Sequence, residues 1–113
     1  MPTSYKILGQ INPSASTFAT LYNVPAAAQT VIATINICNL DSVARAFRLA
    51  TVKSGANTTT PTTNTFIAYD TAIPANDSLA LTIGITLAAN DTVVVYANSS
   101  ANMAFTAYGS EVT

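Results

Sequence analysis

Apolar residues in this chain come in short runs that alternate with small or polar ones, and clusters of Pro, Asn, Asp, Gly or Ser close each run. A period of two is the repeat of a pleated strand, whose successive side chains face opposite ways. No segment carries the 3.6-residue repeat of a helix, and "VPAAAQ", whose alanines invite one, is a short connector broken by Pro25. We therefore expect little or no helix and about eight strands, near 5–11, 17–24, 29–38, 44–53, 65–70, 78–86, 92–98 and 102–109. The expected class is all-β, a single-domain antiparallel β-sandwich over 1–113, either immunoglobulin-like or jelly-roll.

Two of these strands read as core. In the third, Val31, Ala33, Ile35 and Ile37 fall on one face, with Ile32, Thr34, Asn36 and Cys38 on the other. In the sixth, Leu79, Leu81, Ile83 and Ile85 share a face opposite Ala80, Thr82 and Gly84. "VPAAAQTVIATINI", "IPANDSLALTIGI" and "LAANDTVVVYA" align as turn-plus-strand units. In the last two, Asn76-Asp77 and Asn90-Asp91 are placed to bond backbone amides just ahead. Gly84 and Gly109, isolated within strands, mark bulges or close backbone approach. Ser54–Thr65, "SGANTTTPTTNT", reads as a long exposed loop, either mobile or engaged with a partner.

At 113 residues the chain suffices for one core without metals or disulfides. Half of it is apolar, 8% is charged, and the net charge is −1. With no basic stripe to neutralise phosphates, nucleic acid is not an expected partner. Weak repulsion between copies and a surface of Thr, Ser, Asn and Ala suit burial against other protein. The single Cys38 has no disulfide partner in the chain and reads as a buried structural thiol. The start "MPTSYKILGQ" lacks the pattern of a secretion signal, and no apolar run reaches the ~20 residues that span a bilayer. We expect no membrane association and synthesis in a cytoplasm, so the Asn-x-Ser/Thr sequences at Asn57, Asn76, Asn90 and Asn98 carry no weight.

The residues that do chemistry are scarce. There is no histidine, which removes the commonest general base and transition-metal ligand. Of the acids Asp41, Asp70, Asp77, Asp91 and Glu111, four lie in or beside expected turns, where capping is the default role. We expect no enzyme, no cofactor and no metal; Asp77 and Asp91 are the two we would name for calcium, without the dense acid alternation of a dedicated loop. Arg45 and Arg48, three apart on one strand, point to opposite sides and do not form one clamp. Tyr5, Tyr22, Tyr69, Tyr96 and Tyr108 read as core or sheet-edge residues rather than a carbohydrate cleft.

"ILGQINPSA", "TLYNVPA", "ICN", "FIAYDTAIPANDS", "LTIGITLAANDTVVVYA" and "FTAYGSE", in this order, resemble small virion structural proteins of tailed bacteriophages, notably those of cyanobacteria. The similarity runs from Leu8 to Glu111 and includes no catalytic signature. It implies a β-sandwich built into the particle, made in the host cytoplasm and located in the virion. The leading expectation is a capsid decoration or cement protein that binds the assembled shell. Its partners would be the major capsid protein and its own copies, as a homotrimer by analogy with decorated shells. The alternative is a tail or fibre component, a receptor-binding or adhesion module. Expected contact residues are Pro2 and Lys6 at the N-terminal segment, Arg45 and Arg48, and Thr58, Thr59, Thr60 and Pro61 in the loop.

A chain with so little charge on its surface should self-associate when isolated. Sedimentation velocity across a concentration series is expected to show oligomers, and a monodisperse monomer at high concentration would count against a homo-oligomeric building block.

Overall fold

A computed structural model describes residues 3–98 and 102–113. Nine strands make two antiparallel sheets. One contains β1 (Thr3–Ile11), β9 (Met103–Val112), β3 (Gln29–Asn39) and β6 (Ser78–Leu81), in that order, with β7 (Ile85–Leu87) also paired to β3. The other runs β2 (Ala19–Asn23), β8 (Thr92–Ala97), β4 (Arg45–Val52) and β5 (Phe66–Ile73). The one helical element among the described residues is a single 3₁₀ turn, Thr63–Thr65.

If β6 and β7 are counted as one interrupted strand, the sheets interleave as first-eighth-third-sixth and second-seventh-fourth-fifth. That interleaving is the jelly roll, and it resolves the choice of topology that periodicity left open. The interruption has a local cause. Gly84 adopts φ +62°, a left-handed conformation that a ladder cannot continue through, so the expected strand 78–86 splits there. Ile83, expected in the core row, is consequently exposed, and Leu79 and Leu81 are half-buried beside the core.

β3 departs from strict alternation for a related reason. Its pairing with β9 shifts between Ile32 and Thr34, so Ala33 is the extra residue of a bulge. Thr30 and Ile32 face inward before it, and Ile35, Ile37 and Asn39 after it, while Val31 and Ala33 face solvent. The partner at the shift is Gly109, where a Cβ would stand 2.1 Å from the Val31 carbonyl oxygen; only glycine permits this approach. Cys38 is half-buried on the outer side, contrary to the expected buried thiol, because that same bulge fixes Ile37 inward.

The core lies between the sheets. Ile32, Ile35, Ile37, Phe105 and Ala107 from the first meet Phe47, Leu49, Val93, Val95 and Ala97 from the second. Phe47 and Phe105 touch edge to face, centroids 6.0 Å apart at 69°. β8 is unusual in being buried on both faces: Val93 and Val95 join the main core, and Val94 packs with Ala50 and Val52 in a second cluster beneath Phe18 and Phe66. The unbroken run "TVVVYA" is the sequence mark of that two-sided burial.

The Asn-Asp turns work alike at opposite ends of β3. The Asp91 amide donates back to the Ala88 carbonyl across a turn with Asn90 at φ +66°, and the Asp77 amide donates back to the Pro74 carbonyl with Asn76 at φ +57°. Each turn then latches to a neighbouring connection. The Asn90 amide donates to the Val24 carbonyl, and the Val24 amide donates in return to the Asp91 carbonyl; the Asn76 amide donates to the Asp41 carbonyl, and the Asn39 amide to the Asp77 carbonyl. Beside the second latch sits Asn39, fully buried. Its amide nitrogen donates to the carbonyls of Val43 (3.0 Å), Ile73 (3.1 Å) and Pro74 (3.2 Å), and its oxygen accepts from the Asp41 amide.

Asn39→Ala removes the buried donor shared by the carbonyls of Val43, Ile73 and Pro74. Urea denaturation is expected to show a loss of about 2–4 kcal/mol, several times that of an Asn12→Ala change at an exposed position.

Candidate functional site

Two surface features stand out from the surrounding threonines and asparagines. The first is built around Arg48 on the outer face of the smaller sheet. Along β4, Phe47 and Leu49 point into the core, so Arg48, Ala50 and Val52 point out. Opposite Arg48, β5 carries one residue too many: Phe47 pairs with Thr71 and Leu49 with Ala68, leaving both Tyr69 and Asp70 against Arg48. Asp70 holds this bulge at φ +49°.

The extra residue gives Arg48 a ring and a carboxylate together. Its Nε donates to Asp70 Oδ1 at 2.7 Å and its Nη2 to Oδ2 at 3.2 Å, a bidentate pair. The guanidinium carbon lies 4.1 Å from the Tyr69 ring centre and 4.4 Å from that of Tyr96. Phe18 stacks on Tyr96 (5.0 Å) and on Phe66 (5.9 Å), and Phe66 meets Tyr69 edge to face (4.9 Å). Four aromatic rings and one guanidinium thus close a circuit. The Asp70 carboxyl lies below its usual range because it accepts from Arg48.

The Ser54–Thr65 segment folds over this circuit. Thr59, Thr60, Pro61 and Thr63 wall a cleft of about 500 Å³ whose other lining residues are Phe18, Arg48, Phe66 and Tyr69. Asn57 braces the wall from within, its side-chain oxygen accepting from the amides of Thr59 (2.8 Å) and Thr60 (3.2 Å). Of the expected contact residues, Arg48 and the loop residues Thr59, Thr60 and Pro61 line this one cleft, and Thr58 is half-buried beside them. Phe18, Phe66, Tyr69 and Asp70 are not among the contact residues expected from the sequence. The bulge that places the last two has no signature in the sequence.

The second feature is on the outer face of the larger sheet. Ile7 pairs with Tyr108, while Tyr5 and Val31 flank Ser110 on either side. Tyr5 (86% exposed), Ile7 (53%), Val31 (42%) and Tyr108 (42%) thereby form one apolar patch across β1, β9 and β3. β1 is also a sheet edge with pairing on one side only.

On the opposite side of β1, Lys6 is committed internally. Its ammonium bonds Glu111 at 3.0 Å, and the other oxygen of Glu111 accepts from the buried Tyr22 hydroxyl, which in turn receives from Thr30 at 2.8 Å. This network ties β2 to the larger sheet. Burial, then the bond to Glu111, pushes the Tyr22 hydroxyl up to about 12, and the Tyr22 and Lys6 donors hold Glu111 below its ordinary 4.5. Arg45 is paired with Asp41 at 2.6 Å, a neighbour four residues back, and shares nothing with Arg48. Pro2 lies outside the described residues.

Asp77 and Asp91, the two named for calcium, serve as turn caps: Asp77 accepts from Ser78, and Asp91 from Ala88 and Ser54. Among the described residues, no three metal-binding side chains gather. Among the described residues, no helix is long and apolar enough to cross a membrane.

No protein-family model and no curated protein sequence matches the chain. Among solved structures, a chain in the structure of infectious bursal disease virus, Gx strain, resembles it with a TM-score of 0.49 at 10% identity, over 97% of this chain. This chain spans about a third (32%) of the length of that one.

Stability from the Lys6–Glu111–Tyr22 network has a window set by two shifts of opposite sign. Glu111, lowered on folding, contributes fully above pH 4.5, and its contribution fades as pH falls through the folded value. Tyr22, raised on folding, contributes below pH 10 and loses it between 10 and about 12. Thermal melts should therefore fall at both extremes, and Glu111→Gln should flatten the acid limb relative to wild type.

Proposed function

We propose that this protein is a structural component of a virion, a capsid decoration or cement protein of a tailed bacteriophage that binds the assembled shell and stabilises it. The observation that carries this reading is the Tyr5, Ile7, Val31 and Tyr108 patch on the face of the larger sheet. A building block that must be covered needs an extended apolar area on its side, and a patch on a surface with so few charges meets that need. The jelly roll supports it by analogy, since shells and lectins both use the fold. The phrase-by-phrase resemblance to phage virion proteins supplies the particle.

In this reading the patch and the β1 edge face the major capsid protein or a neighbouring copy, with three copies meeting around a symmetry axis. Binding only the assembled shell stabilises it by mass action, and many modest contacts act together. The residues are passive and the protein catalyses nothing. It is made in the host cytoplasm and ends in the particle.

Copy number per particle tests this, measured by quantitative mass spectrometry of purified virions against the major capsid protein. Hundreds of copies, near one-to-one, are expected; a few per cent would assign the protein to the tail or its fibres. Tyr5→Ser with Ile7→Ser, both at exposed positions, should leave the melting temperature within a few degrees and reduce incorporation by about tenfold or more.

A further inference from the structure

We infer that the cleft between the Arg48 circuit and the Ser54–Thr65 segment is a binding site for a neutral saccharide. Its volume, about 500 Å³, falls within the ~300–1,000 Å³ of small-molecule sites. Its floor is aromatic: Phe18, Phe66 and Tyr69, the last 56% exposed. Its wall offers the hydroxyls of Thr60 and Thr63, and that of Thr59 as an acceptor, its hydrogen being given to the Asn57 side-chain oxygen at 2.7 Å. Apolar faces on one side and hydroxyls on the other match a sugar ring, which presents C–H faces and an equatorial belt of hydroxyls.

Charge decides between classes of sugar. The guanidinium of Arg48 and the carboxylate of Asp70 cancel one another at 2.7 Å, so the cleft has no unpaired charge to reward an acidic ligand. The guanidinium still has N–H groups beyond the two that Asp70 takes, and these are fixed in direction by the two tyrosine rings. A held, planar donor set costs little ordering when a hydroxyl arrives.

The main core does not require this arrangement. The bulge at Tyr69 and Asp70 interrupts a ladder and places a non-glycine residue at φ +49°, which costs about 1 kcal/mol or more. Such strain collects where geometry serves a ligand. The inference stands apart from the shell-binding reading, because the cleft and the Tyr5 patch are on outer faces of different sheets.

The test is an NMR titration of ¹⁵N-labelled full-length protein with methyl glycosides of glucose, galactose and mannose, with N-acetylneuraminic acid, and with a proline-rich peptide. A neutral glycoside is expected to shift the amides of Thr59–Thr65, Phe66 and Tyr69 with a Kd on the order of 1 mM, and N-acetylneuraminic acid to bind no better. Tyr69→Ala should weaken binding about tenfold. Thr60→Val, on the exposed wall and without a role in folding, should weaken it about threefold. The inference is overturned by the absence of shifts up to about 50 mM for every neutral glycoside. Shifts that persist unchanged in both variants, or a response to the peptide or the acidic sugar alone, overturn it equally.

Discussion

The contact between Phe47 and Phe105 is where the two sheets of the sandwich meet, and most of the architecture serves to bring strands of both sheets to it. Each ring is fully buried, and each is flanked along its strand by inward residues two positions away: Leu49 on β4, and Met103 and Ala107 on β9. Because one face of each strand must reach this interior, the other faces are free to differ. The outer face of the smaller sheet gathers a second, smaller cluster; that of the larger sheet is left bare. The two surface features of the molecule follow from that asymmetry.

The sequence made the all-β class and most strand positions legible, because the period-two pattern and the turn residues act locally and leave marks in order. Asn76-Asp77 and Asn90-Asp91 were readable as turn devices for the same reason, as was the close approach at Gly109. What escaped was everything set by an inserted residue. Ala33 reverses the facing of half of β3, and the Tyr69–Asp70 bulge builds the Arg48 circuit. A bulge is a decision taken between two strands, and its determinants lie on the partner: the missing Cβ of Gly109 in one case, the guanidinium of Arg48 in the other. The sequence of the bulged strand alone contains neither. The contact residues proposed from the loop came together because a Thr-rich segment of that length had an aromatic face beneath it to cover, and that face is visible only once β4 and β5 are aligned.

The few charged residues are mostly occupied within the chain. Lys6 holds Glu111, Arg45 holds Asp41 and Arg48 holds Asp70, while Asp77 and Asp91 accept backbone amides. Each of these contacts joins segments distant in sequence or closes a turn. Electrostatics in this molecule is thus spent on internal geometry, and little is left to steer or repel a partner at long range. Contact between copies, or with a shell, must rest on fit and apolar area.

The order of strands in the larger sheet has a consequence for synthesis. β9, the last strand, lies between β1 and β3, so neither of them has its full set of hydrogen bonds until it arrives. A nascent chain leaving the ribosome can assemble β2, β4, β5 and β8, but its first strand has no neighbour until β9 is available. Chain extension takes seconds at ~5–20 residues per second, and topologies that join distant segments fold slowly. During that interval the β1 edge and the apolar side of β3 are open to other nascent chains on the same message. Productive folding is therefore a race between completion of one polypeptide and encounter with its neighbours, and a translational pause before β9 would lengthen the vulnerable period.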